Sequence, residues 1–243
     1  MNIKLIISYK GTNYYGYQIQ PNVKTVEGCL KAAIEKTVKH KVKLMSAGRT
    51  DTGVHAAGQV VNFFSNTSID IGNLPKVINF HLPDDISVIG AEYVNDDFHS
   101  RFSAKGKHYR YYIYRGKYRN ALYENMMHYP YPLDINKMEE SFKCLIGEHD
   151  FKSFMGRHAI VKDTIREIYN ISITDNGDIV YVDFFGKSFL KNMIRIIIGT
   201  SIQIGSGKFN KDHMEKVLKS KNRKKAGPTA PSKGLYLMEI YYD

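Results

Sequence analysis

Hydrophobic and polar positions alternate from the start of the chain. In "NIKLIISY" the side chains of Ile3, Leu5, Ile7 and Tyr9 share one face, the pattern of a half-buried strand. The period then changes. Thr25 stands where it can cap "VEGCLKAAIEKTVKH", in which Val26, Leu30, Ala33, Ile34 and Val38 fall on a single helical stripe. "KVKLM" and "QVVNFF" follow as strand-like runs, "NLPKVINFHL" as a helix and "ISVIGAEYV" as a further strand. The order strand, helix, two strands, helix, strand is a split βαβ pattern, in which an antiparallel sheet carries its helices on one face.

The second half repeats the scheme. "KHYRYYIYR" reads as a strand and "INKMEESFKCLIG" as a helix. "IREIYNISITDNGDIVYVDFFG" reads as two strands joined at Asp175-Asn176-Gly177-Asp178, a strong hairpin signal. "SFLKNMIRIIIGTSIQIG" and "KDHMEKVLKS" are predicted helices, and "GLYLMEIYY" a closing strand. The pattern predicts an α+β protein of two related units, residues 1–103 and 104–243, meeting at a groove.

Composition narrows the function. The 243 residues carry a formal net charge of +11, a field that attracts polyanions and puts nucleic acid first among partners. A basic protein with no such partner is the alternative. Eighteen tyrosines favour RNA, since their rings can stack on unpaired bases. Cys29 and Cys144 stand too far apart for a C-x-x-C metal or redox motif. "MNIKLIISYK" lacks the long apolar core of a secretory signal, and no stretch approaches the ~20 apolar residues of a membrane span. A reduced, cytoplasmic protein outside the membrane is expected.

Candidate chemistry concentrates in "AGRTDTGVHA", between two predicted strands. Gly48 and Gly53 have the outer spacing of a phosphate-binding loop, but Val54-His55 follows where Lys and Ser or Thr are required, so no nucleotide cofactor is expected there. A loop between strands can present Arg49 and Asp51 outward; an ordinary polar turn is the plainer reading. Arg195 lies in a predicted helix that is apolar nearly all round, and a buried guanidinium needs a carboxylate. Asp51 and Asp183 are both candidates for that partner. Tyr109, in "KHYRYY", either shows its ring at the groove or fills a core. His55 and His149 have no neighbouring ligand pattern, so capping or packing is expected of them, and no metal.

The blocks "YKGTNYYGYQIQPNVKTVEGCL", "AGRTDTGVHA", "LPDDISV", "FHSRFSAKGKHYRYYIY", "GEHDFKSF", "GKSFLKNMIRIIIG" and "GPTAPSKGLYL" stand in the order found in one family. With them the chain resembles the tRNA pseudouridine synthase A family over nearly its whole length. The resemblance implies two related α+β halves, a homodimer, and a central basic cleft that receives the anticodon arm of tRNA. There, uridines at positions 38 to 40 are isomerised to pseudouridine. It further implies that Asp51 is the catalytic aspartate, that Arg49 helps displace the target nucleotide, that Tyr109 packs against the uracil, and that Arg195 pairs with Asp51.

The reaction implied breaks the bond from C1′ to N1, rotates the bound uracil and joins C1′ to C5. No net electron or group transfer occurs, so no cofactor is needed. A carboxylate can attack C1′ or remove the C2′ proton, and both routes are akin to glycoside chemistry. An RNA-binding module without chemistry, or a base-excising glycosidase, are the competing classes; the second lacks a placed second carboxylate. Two departures from the family stand out. Tyr17 occupies a position commonly held by Trp, and "MGRHAIVKDTIREI" replaces a small-residue, cysteine-containing run. The basic cluster Lys219, Lys221, Arg223, Lys224 and Lys225 is a candidate RNA contact, or else a solvated helix end.

Overall fold

The computed structural model describes residues 1–156 and 161–243. Its elements, in chain order, are β1 (Asn2–Tyr9), α1 (Val26–Val38), β2 (Met45–Ser46), β3 (His55–Phe64), α2 (Leu74–Asn79), β4 (Ile86–Val94), β5 (Gly106–Tyr114), β6 (Met127–His128), α3 (Ile135–Phe142), β7 (Gly147–Asp150), β8 (Ile165–Asn176), β9 (Ile179–Gly186), α4 (Met193–Gly205), α5 (His213–Ser220) and β10 (Leu235–Tyr241). The fold is α+β with predominantly antiparallel pairing, as the alternating patterns predict. Two units divide it: Met1–Lys105 with Tyr236–Asp243, and Gly106–Leu235.

In the first unit the strand order is β4-β1-β3-β10, with β2 also paired to β3. β1 lies antiparallel between β3 and β4, its Ile3, Leu5 and Ile7 wholly buried. Thr25 caps α1 by accepting a hydrogen bond from the Gly28 amide, and Leu30 and Ile34 of that helix are fully buried. The helices α1 and α2 pack on one another, and α2 packs on β4. The closing strand differs from its place in sequence order. β10 runs parallel to β3, with Tyr236 opposite His55 and Leu237 opposite Ala56, so it belongs to the first unit and not to the second. The stacked rings of Tyr236 and His55, 4.6 Å apart, help fix that register.

In the second unit β5, β9, β8 and β7 form an antiparallel sheet, with β6 parallel to β5 at its edge. The turn between β8 and β9 falls within the predicted Asp175-Asn176-Gly177-Asp178 stretch: Asn176 pairs with Ile179, and the two loop residues are Gly177, at φ +72°, and Asp178. Tyr111, Ile113, Val180, Val182 and Phe184 are buried on one face, and Phe142 of α3 meets Phe184 edge to face. On the opposite face Arg110 sits directly across from Asp183. The Asp183 carboxylate accepts from Arg110 Nε at 2.7 Å, Arg110 Nη2 at 3.0 Å and His108 Nε2 at 2.5 Å, and Tyr181 covers the guanidinium at 4.1 Å. Burial alone raises the pKa of Asp183, but the hydrogen bonds from His108 and Arg110 outweigh it and hold the carboxyl below its ordinary value.

Several predicted elements are shorter than their patterns, α2 and α3 among them, and for two others the backbone shows why. Of "KVKLM" only Met45 joins a strand, because α1 ends in a left-handed Lys39 and the Val42 amide is taken by Glu35 Oε1 at 3.1 Å instead of by a neighbouring strand. The helix expected from Ser188 starts at Met193. Asn192 is left-handed at φ 60°, and the Lys191 carbonyl accepts from the Gly156 amide, which removes it from any helical ladder.

Two stability effects follow. Thr25→Ala is predicted to lower the unfolding free energy measured in urea by about 1 kcal/mol, with Thr25→Ser close to wild type. Folded Asp183 holds its proton less tightly than the unfolded chain does. Its stabilisation is therefore present above the ordinary carboxylate range and disappears as pH falls through the folded group's titration. Asp183→Asn should cost about 2 kcal/mol at neutral pH, and that deficit should shrink below pH of about 4. A pH-independent difference in urea midpoints would contradict this account.

Candidate active site

Residues 47–54, following directly on Ser46 at the end of β2, connect β2 to β3 in the first unit and carry Arg49 and Asp51. Successive anchors hold this loop from below. Ser46 Oγ meets the Tyr17 hydroxyl at 2.7 Å, the Gly48 carbonyl accepts from Gln59 Nε2 at 2.8 Å, and Thr50 Oγ1 meets the Tyr9 hydroxyl at 2.8 Å. The Thr50 carbonyl also accepts from the Tyr17 amide at 3.1 Å, and the Ala47 amide donates to the Val60 carbonyl. Thr50 is buried, Arg49 is exposed and Asp51 is half-buried. Gly53, at φ +75°, reverses the chain, and the Val54 amide closes the turn on the Asp51 carbonyl at 3.1 Å.

The base of the loop rests on a tight approach. A Cβ on Gly11 would lie 1.9 Å from the Val54 carbonyl oxygen, so only glycine lets the two backbones meet. The Gly11 amide donates to His55 Nδ1 at 3.1 Å, and the His55 ring is wholly buried against Tyr236. His55 is thus a packing and capping group, as expected. His149 contacts the Ile146 carbonyl through Nε2 at 2.9 Å and packs on Phe151. Among the described residues, no three His, Cys, Asp or Glu side chains gather into a set that could hold a metal ion. Among them, too, no helix is long and apolar enough to cross a membrane.

The second unit holds the other two candidate residues. Tyr109 on β5 stands opposite Phe184, is 8% exposed, and meets Phe189 edge to face at 5.3 Å. Arg195 lies in the first turn of α4, whose Ile194, Ile196, Ile197 and Ile198 are buried. Its Nε donates to the Ala230 carbonyl and its Nη1 to Asn192 Oδ1, both at 2.8 Å. Both oxygens of Asp183, the carboxylate weighed as an alternative partner for Arg195, are engaged by Arg110 and His108.

Of the basic cluster, Lys219 pairs with Glu215, Lys221 pairs with Asp150, and Arg223 donates to the Gly227 carbonyl and Thr229 Oγ1. Lys224 and Lys225 are exposed. In the divergent segment after Ser153-Phe154, residues 157–160 lie outside the described residues. Tyr17 is 1% exposed, and its hydroxyl meets Ser46 Oγ at the start of the loop.

The supporting residues Tyr9, Tyr17 and Gln59 were not singled out for this role from the sequence. Their signals are faint but readable: Tyr9 continues the buried alternation of β1 with a polar tip, and Gln59 interrupts the apolar run of β3. Burial raises the pKa values of Tyr9 and Tyr17, so both hydroxyls stay protonated and able to donate.

The sequence matches the family model described as tRNA pseudouridine synthase over residues 5–103 and 142–243. It is 45% identical to tRNA pseudouridine synthase A of Bacillus licheniformis, with 100% of both chains covered. Identity is also 45% to the protein of that name from Thermoanaerobacter sp. (strain X514), with 99% of each chain covered. For that of Bacillus subtilis (strain 168) it is 43%, with 100% of each covered. With the loop motif intact and the match running through both units, the chain belongs to the tRNA pseudouridine synthase family.

Proposed function

We propose that this protein isomerises uridine to pseudouridine in tRNA, acting on the anticodon arm at positions 38 to 40. Asp51 is the catalytic carboxylate, and Arg49, Tyr109 and Arg195 hold the substrate. The observation that carries this function is the loop at residues 46–54: buried anchors fix Ser46, Gly48 and Thr50 while Arg49 and Asp51 keep access to solvent. Family membership supplies the substrate class.

The roles follow from the chemistry of each group. A target uridine inside a stacked arm is reached by displacing its base, at a cost of a few kcal/mol. Arg49, exposed and cationic, suits the space the base leaves and the phosphates beside it. The Tyr109 ring, held edge to face by Phe189, offers the uracil a rigid aromatic wall. Arg195, fixed by Ala230 and Asn192, brings a cation whose direction is set before substrate arrives. Asp51 works at the sugar: the C1′ to N1 bond breaks, C1′ joins C5, the C5 proton leaves to solvent and N1 gains a proton. Either attack at C1′ or removal of the C2′ proton requires the carboxylate ionised. The positive net charge draws tRNA in. A homodimer and a cytoplasmic location complete the proposal.

Carbodiimide mapping of tRNA after incubation with the protein tests it. Wild type should create new pseudouridines in the anticodon arm, and a folded Asp51→Asn protein should slow their formation by roughly 10³-fold or more. Pseudouridine formed at an undiminished rate by Asp51→Asn would remove the carboxylate from the mechanism, and products elsewhere in the tRNA would overturn the target.

A further inference from the structure

We propose that Tyr9 is a positioning residue for the isomerisation: its buried hydroxyl holds Thr50, and through Thr50 sets the direction of the Asp51 carboxylate. This role rests on the proposed catalytic function of Asp51. Tyr9 is 4% exposed, so its hydroxyl has to be satisfied inside the protein. It meets Thr50 Oγ1 at 2.8 Å. Gln59, itself fully buried, donates to the Gly48 carbonyl. The two buried groups therefore grip the residues on either side of Arg49, and one of them is the immediate neighbour of Asp51.

Thr50 is the buried link between two residues that keep access to solvent. Its hydroxyl meets Tyr9 and its carbonyl accepts from the Tyr17 amide, while its neighbours Arg49 and Asp51 remain exposed and half-buried, and Gly53 reverses the chain directly after. A lost Tyr9 hydroxyl leaves the ring packed against Tyr17, with centroids 6.2 Å apart, yet frees Thr50 to rotate. A small error in carboxylate placement costs rate more than it costs binding.

The test is single-turnover tritium release from tRNA carrying 5-tritiated uridine, with tRNA Kd and Tm measured on the same full-length proteins. Tyr9→Phe removes one oxygen and should lower the release rate about 10- to 100-fold, with Kd and Tm close to wild type. Thr50→Val should do the same. Thr50→Ser, which keeps the hydroxyl, should restore most of the rate. The double variant Tyr9→Phe/Thr50→Val should be no slower than the slower single one, because both remove the same link. Wild-type rates in both single variants, failure of Thr50→Ser to restore the rate, or losses confined to Kd or Tm overturn the positioning role. Asp51→Asn is run alongside: if it stays active the catalytic assignment itself fails, whereas an inactive Asp51→Asn beside fully active Tyr9→Phe and Thr50→Val overturns the Tyr9 role alone.

Discussion

Polar groups that leave water beneath residues 46–54 must find partners inside the first unit, and that requirement shapes the whole loop. Two tyrosine hydroxyls and one carboxamide are buried there, each worth a few kcal/mol if left unmade. They are satisfied by Thr50, Ser46 and the Gly48 carbonyl. An apolar support of the same shape would pack equally well but would not fix the loop's rotation about its own axis. The hydrogen bonds do, and so convert an exposed polar loop into a rigid mount for a carboxylate.

The second unit solves a parallel problem with charge. Its sheet buries an aspartate on the face away from the apolar core; Arg110 neutralises it and, with His108, orients it through three hydrogen bonds. With that carboxylate committed, Arg195 takes its bearing from a backbone carbonyl and an asparagine in its own unit. Tyr109 is steered by the edge of Phe189. In each unit the groups proposed for chemistry are thus positioned by side chains whose own partners are already fixed. A reaction that reorients a bound base without releasing it needs that rigidity.

Local features were legible in the sequence. The alternation of Ile3, Leu5 and Ile7 marked β1, Thr25 marked the start of α1, and Asp175-Asn176-Gly177-Asp178 marked the β8–β9 hairpin, since each depends on neighbours within a few residues. The loop motif was legible too, because its glycines and charged residues lie close together. Long-range choices were not. Sequence order says nothing about β10 lying parallel to β3, and a strand propensity in "KVKLM" could not reveal that Glu35 would take the Val42 amide. Likewise the bond between Tyr9 and Thr50 joins residues 41 positions apart, so only the folded chain brings it into view.

In the proposed reaction uridine is rearranged, with its uracil kept throughout, by the carboxylate of Asp51. Exhaustive digestion of reacted tRNA to nucleosides, separated and quantified by chromatography, addresses it most directly. Pseudouridine gained should equal uridine lost, with no free uracil, and both changes should vanish with Asp51→Asn. Free uracil in place of pseudouridine, or equal conversion by Asp51→Asn, would contradict the account.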